Sequence, residues 1–193
     1  MTRPVVWFSA GAASAVAAKL ALAVDPDTML VYTDPGNEHP DNKRFMRDVE
    51  DWLNVKVTYL RDSKYTDAWD LWEKSGYLVG VPGARCSLVL KKRQRQQFER
   101  MDDRQVFGYT VEEVDRADRF REGNPDVNLW TPLIEQGGTK ADCLAIIKAA
   151  GIEPDPVQQR VCTTSGNQLA LCHRQWGKSS VFAAIGLADA CEE

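Results

Sequence analysis

The chain has 193 residues, enough for one well-filled α/β core and a small appendage but hardly for two enzymes. Its 24 Lys and Arg against 28 Asp and Glu leave a formal charge of −4, which excludes a protein held to nucleic acid mainly by general electrostatics. No stretch approaches the roughly 18 apolar residues of a membrane span and no secretion signal precedes the first apolar run, so the expectation is a cytoplasmic protein without membrane contact.

Strands are expected at Val5–Phe8, Met29–Tyr32, Val55–Leu60 and Val106–Tyr109, where short β-rich runs are separated by segments of helical spacing. The helical segments are Ser14–Val24, Asp41–Leu53 and Leu88–Met101. This alternation predicts an α/β fold, a doubly wound, Rossmann-like and mostly parallel sheet with helices on both faces. Ligands of such sheets bind beyond the carboxyl ends of the strands, which here are the loops Ser9–Ala13, Thr33–His39 and Thr110–Glu113. Further along, Thr139 and Asp142 have capping-box spacing and Gly151 is a natural helix stop. The stretch "GIEPDPVQQ" reads as a boundary, dividing residues 1–152 from a tail of residues 153–193.

The stretch "FSAGAASAVAAKLAL" allows two readings. A strand ending at Phe8, a turn of small residues and an alanine-rich helix would aim several backbone amides at one anion, with Ser9 and Ser14 adding hydroxyls. The same composition also suits a helix packed closely on a sheet, and composition alone does not separate the two.

The ordered series of motifs adds a resemblance. The turn resembles the S-G-G-x-x-S loop of N-type ATP pyrophosphatases and of the phosphoadenosine phosphosulfate (PAPS) reductase family, with Ser9, Gly11 and Ser14 matching and Ala10 in place of a glycine. "YTDPGNEHP" is similar to that family's strand-end D-T-G-x-x-x-P segment, "ARCSLVLKK" to its arginine/cysteine-to-lysine segment, and "FGYTVEEVDRADRF" to its G-x-x-x-x-E-x-x-R segment. "TPLIEQGGTKADCLAIIKAAGI" is similar to the closing helix region of phage-borne members, so that the resemblance spans residues 3–153. It implies an adenine-nucleotide site for ATP, adenosine phosphosulfate or PAPS, with Mg as the accompanying ion of a triphosphate, and a role in sulfur transfer or sulfonucleotide reduction. If phage-encoded, the protein would work in the host cytoplasm. Ser9, Gly11, Ala12, Ser14, Asp34, Gly36, Arg85, Lys91, Arg116 and Arg119 are the implied nucleotide-binding residues. Ala13 departs from the pattern, because the ATP-cleaving version carries an acidic residue there. A nucleotide-binding module that has lost catalysis is therefore the alternative.

Cys86 is the candidate nucleophile, since Arg85, Lys91 and Lys92 would favour its thiolate; the competing reading is a buried small hydrophobe. The five cysteines are odd in number, widely spaced and without a C-x-x-C pair, and only two histidines accompany them. Neither a disulfide framework nor a metal–thiolate cluster is expected. Cys143 reads as a packed helix residue. Asp34 precedes a Pro-Gly turn that can present its carboxylate to a ligand, whereas His39 beside it reads as solvated. The cations of Lys91–Arg95 read by default as a solvated helix face, with contact to RNA or DNA as the functional alternative. Arg116 and Arg119 can hold a phosphate or pair with Glu112, Glu113 and Asp115. A homodimer is compatible with all of this.

The tail carries a second resemblance. "LALCHRQWGKSSVFAAIG" resembles the variant Walker A turn of phage terminase large subunits, with Arg174, Gly177, Lys178 and Ser179 matching, and Gln158 upstream resembles their adenine-reading glutamine. A working motor of that type also needs a magnesium-holding acid and a group that positions water, neither of which follows Ser179. The expected tail is an incomplete, terminase-like strand and helix that binds an anion at most, and a packaging-ATPase fragment fused to the first domain is the third reading.

Overall fold

The computed structural model describes residues 2–77, 79–80 and 83–154. A five-stranded parallel sheet forms the centre, in the order β3-β2-β1-β6-β7. Its strands are β1 (Pro4–Phe8), β2 (Met29–Asp34), β3 (Val57–Arg61), β6 (Arg104–Val106) and β7 (Asn128–Trp130). A short antiparallel hairpin, β4 (Val79–Gly80) with β5 (Gly83–Ala84), stands apart from it. The chain steps outward from β1 through β2 to β3, then returns to the other side of β1 with β6 and β7. The direction of winding therefore reverses between β1 and β6, the position at which open α/β sheets leave a crevice.

Every residue of β1 is buried, and its side chains divide by the period of two that a pleated strand imposes. Val6 and Phe8 enter the main core with Leu30, Tyr32 and Val106, under α1 (Ala12–Val24), α2 (Pro40–Leu53) and α7 (Lys140–Ala149). Val5 and Trp7 face the other way, with Val31, against Phe98 and Phe107. Phe98 ends α4 (Arg93–Phe98), so helices cover both faces of the sheet.

The alanines of α1 have a packing reason. Ala12, Ser14, Ala15, Val16, Ala17, Ala18 and Ala21 are all buried, because the helix is wedged between the sheet, α7 and α6 (Pro132–Glu135). Small side chains permit that approach on several sides at once. α2 starts with Pro40 at its first position and His39 as N-cap, and ends on Asn54 in the left-handed conformation. α7 opens with the Thr139/Asp142 capping box, and Gly151 follows it at φ +78°.

Three expected boundaries move. β6 runs from Arg104 to Val106, two residues before the expected Val106–Tyr109, because Phe107 and Tyr109 leave the ladder to stack on one another. β3 starts at Val57 rather than Val55, since the Val57 amide is taken by the Glu50 carboxylate as the chain leaves α2. The expected helix Leu88–Met101 is a π-helix, Ser87–Lys92, continued by α4. β7, α3 (Ala68–Ser75) and α5 (Val114–Gly123) were absent from the sequence expectation. α3 packs Ala68 and Leu71 against Cys86, Val89 and Leu90 in a satellite cluster beside the sheet.

Candidate nucleotide site at the strand ends

The turn after β1 is organised by one hydroxyl. Ser14 Oγ accepts from the Ser9 amide (3.1 Å), the Ser9 hydroxyl (3.1 Å) and, more weakly, the Gly11 amide (3.4 Å), and donates to the Gly11 carbonyl (2.9 Å). Ala10 sits at φ +54°, a conformation that glycine adopts freely and that an L-residue adopts at a cost of about 1–2 kcal/mol. The first turn of α1 therefore begins at Gly11 with no side-chain cap, which leaves its amides directed at the crevice. Gly108, just past β6, closes the other side. A Cβ on Gly108 would lie 2.7 Å from the Ser14 amide nitrogen and 2.8 Å from its Cα, so the two switch-point loops touch backbone to backbone.

The loop after β2 is equally constrained. Asp34 Oδ1 accepts the Gly36 amide at 2.8 Å, and Gly36, at φ +86°, is pressed so closely on Thr66 and Asp67 that no Cβ would fit. His39 uses its Nδ1 to accept the Asp41 amide, the work of an N-cap. Glu38 reaches back into the fold: its carboxylate accepts from the Tyr32 hydroxyl and from Asn42 Nδ2 (2.7 Å), and Lys91 Nζ stands 3.6 Å away. Lys91 belongs to the π-helix, so this ion pair joins the helix on one face of the sheet to the β2–α2 loop.

The residues singled out from sequence fall into three groups. Ser9, Gly11, Ala12 and Ser14 form the turn after β1, Asp34 and Gly36 the turn after β2, and Lys91 joins them at the rim through Glu38. Arg116 and Arg119 lie on α5, beyond a 3-10 turn at Val111–Glu113; Arg116 pairs with Glu113 (2.9 Å) and covers the ring of Tyr109, and Arg119 donates to the Asp115 carbonyl. Burial pushes the Tyr109 hydroxyl pKa up, and the Arg116 charge opposes that only in part. Arg85 is exposed, and Cys86 is buried with Leu71, Val89 and Leu90, an arrangement that surrounds its thiol with hydrocarbon. Of the Lys91–Arg95 cations, Lys92 and Arg93 are exposed. Arg95 turns inward, 3.4 Å from Glu99 and over the rings of Phe107 and Phe120. Gln158, Arg174, Gly177, Lys178 and Ser179 lie outside the described residues.

Residues 3–108 match the model of the phosphoadenosine phosphosulfate reductase domain. The chain belongs to that family. The matched span runs from the residue before β1 to Gly108, and so contains both switch-point loops, Glu38 and Lys91 but not Arg116 or Arg119. The family's nucleotides are sulfonucleotides of adenine, which fits a crevice framed by backbone amides, a serine hydroxyl and a lysine. No curated protein matches the chain significantly. Among the described residues, no helix is long and apolar enough to cross a membrane, and no group of three His, Cys, Asp or Glu side chains is placed to hold a metal ion.

Sequence reasoning passed over Tyr32 and Asn42 and dismissed the neighbourhood of Glu38. The signal was present in the spacing: Glu38 and Asn42 lie four apart across the start of α2, and Tyr32 is the last strand residue whose side chain faces that helix.

Proposed function

We propose that the protein binds ATP, adenosine phosphosulfate or PAPS across the ends of β1 and β2 and acts in sulfur transfer or sulfonucleotide reduction. The observation that carries this reading is the contact between Gly108 and the first turn of α1, which holds an uncapped, small-residue helix start rigidly at the topological switch point. Amides fixed in this way receive a phosphate or sulfate without first having to be ordered. Lys91 supplies the nearest full positive charge, and Asp34 stands where a ribose hydroxyl would pass. Arg116 and Arg119 are proposed contacts for the outer end of the nucleotide. Mg, if used, would be carried in largely by the phosphate oxygens of ATP.

In the catalytic form of this reading Cys86 attacks the sulfuryl sulfur, forming an S–S bond as the S–O bond to the nucleotide phosphate breaks. An external dithiol then reduces the product and releases sulfite. The apolar surroundings of the Cys86 thiol and the absence of an acid at Ala13 favour a second reading, a module that binds the nucleotide without turning it over. A thermal-shift panel with ATP, adenosine phosphosulfate and PAPS, run beside turnover assays, separates the two. Gly11→Val should abolish nucleotide stabilisation in a folded protein, because a branched side chain would occupy the anion position. Unchanged binding in that variant would reduce the stretch to helix packing alone.

A further inference from the structure

Glu38 is the most enclosed carboxylate at the rim, with a side chain only 9% exposed, yet the nucleotide reading gives it no part. It would also repel an incoming anion. What it does is visible in its three partners, each from a different element. Tyr32 of β2 is buried and donates its hydroxyl, and Asn42 of α2 is buried and donates its amide to the same oxygen, Oε2. The other oxygen, Oε1, faces Lys91 Nζ of the π-helix at 3.6 Å.

We propose that Glu38 is a positioning residue that holds the Lys91 ammonium at the strand-end rim, ready for the phosphate or sulfate of the nucleotide; this rests on the function proposed above. Two neutral donors on rigid elements fix the carboxylate, so it stays in place whether or not the lysine is paired. Lys91 is the movable member, a flexible four-carbon stem whose side chain is 41% exposed. At 3.6 Å the pair is a Coulombic contact longer than a hydrogen bond, and an ammonium has three donors. Those donors remain available to an anion while the carboxylate restricts where the stem can go. The gain is pre-organisation: a lysine already ordered loses less rotamer freedom when the ligand arrives.

The test has two arms. In the unliganded protein, a short pulse of an acetylating reagent is read lysine by lysine by mass spectrometry, with the exposed neighbour Lys92 as internal reference. Lys91 should react several-fold more slowly than Lys92, and Glu38→Gln should bring the two rates within about twofold while the other lysines stay unchanged. In the second arm, the dissociation constant for ATP or adenosine phosphosulfate should rise at least fivefold in Glu38→Gln. It should rise no further when Glu38→Gln is added to Lys91→Met. Lys91 acetylation that stays at its wild-type rate in Glu38→Gln, tighter nucleotide binding in that variant, or fully additive losses in the double variant would each overturn the proposal. Should Glu38→Gln fail to fold, Tyr32→Phe removes one anchoring donor at constant shape and should raise Lys91 acetylation in the same direction. If no nucleotide binds the wild-type protein, the proposed function fails, and the acetylation arm still decides whether Glu38 holds Lys91.

Discussion

Substituting Gly108 by alanine is the smallest change that tests how the switch-point crevice is built. The added methyl carbon would lie 2.7 Å from Ser14 N, 2.8 Å from Ser14 Cα and 2.9 Å from the Ala13 carbonyl carbon. All three are backbone atoms, so no side chain can rotate away; the β6 end or the first turn of α1 must shift. Overpacking a closed site in this way costs about 1–3 kcal/mol. For a chain of this length each kcal/mol lowers the melting temperature by about 2–4 °C, so a fall of about 2–12 °C is expected. Gly108 does not have a positive φ, so the loss measures contact rather than backbone conformation. Gly123, the last residue of α5, provides the control, because nothing lies within 4 Å of its would-be Cβ. Gly123→Ala should be neutral or gain up to about 1 kcal/mol through the unfolded state. Urea and thermal unfolding of both variants, followed by ATP titration, would measure the difference. Equal stability of Gly108→Ala and Gly123→Ala would refute the close contact, and with it the argument that the anion site is held rigidly from β6.

Arg3 and Asp103 clasp the opposite end of the sheet through two hydrogen bonds of 2.7 Å, with the Asp103 side chain fully buried. Arg3→Met should therefore cost about 3 kcal/mol by leaving that charge uncompensated. Burial alone would raise the Asp103 pKa, but the Arg3 hydrogen bonds, the Arg100 amide and both guanidinium charges outweigh it and hold the carboxyl below its usual range. The pair's contribution is then complete above the unfolded carboxyl value of about 3.9 and disappears as the pH falls below it. Denaturation at pH 7 and pH 2.5 checks the sign, since the gap between wild type and Arg3→Met should close at the lower pH. Burial also pushes the Cys143 thiol up to about 11, so iodoacetamide at pH 8 should leave Cys143 unmodified until the protein unfolds, as peptide mapping would show. Cys86→Ser should leave nucleotide stabilisation intact; if it retains full turnover as well, Cys86 has no covalent role.

The sheet was legible because its strands announce themselves. Val5, Val6 and Trp7, or Leu30 and Val31, are buried on both faces, and a parallel strand with that burial is a run of β-branched and large apolar residues wherever it occurs. The helix stops at Asn54, Gly76 and Gly151 were legible for a similar reason, as all three sit at positive φ. β7 was not legible, because Asn128, Leu129 and Trp130 make an edge strand of three residues with no alternation to detect. In the site, the turn after β1 could be read directly, since its chemistry lies in consecutive small residues. Glu38, Tyr32, Asn42 and Lys91 are spread over three elements and sixty residues of chain, and only their approach in space gives Glu38 a meaning. The choice between cradle and packed helix for the alanine-rich stretch was a false one as well. Ala15, Ala17, Ala18 and Ala21 pack, while Gly11 and Ala12 begin the uncapped turn, and the same small side chains serve both ends of one helix.

The π-helix at Ser87–Lys92 gives this region a frame that insertions and deletions would disturb in a particular way. Its hydrogen bonds run from residue i to i+5, one residue more per ring than in an α-helix, so it accommodates a residue that an α-helix of the same span would have to expel. Upstream, Cys86, Val89 and Leu90 are buried; downstream, Gln94 is buried and donates to Asp62 Oδ2. Deleting one residue from Ser87–Lys92 would let the segment close up as ordinary α-helix and still pack. The downstream turn would then rotate by about 100° relative to the upstream one, moving Gln94 off Asp62 and Arg95 away from Phe107 and Phe120. A change that secondary structure would scarcely register would thus exchange the inward and outward charges of the helix, and relatives that differ here by a single residue in length should differ in which cation they present to the rim.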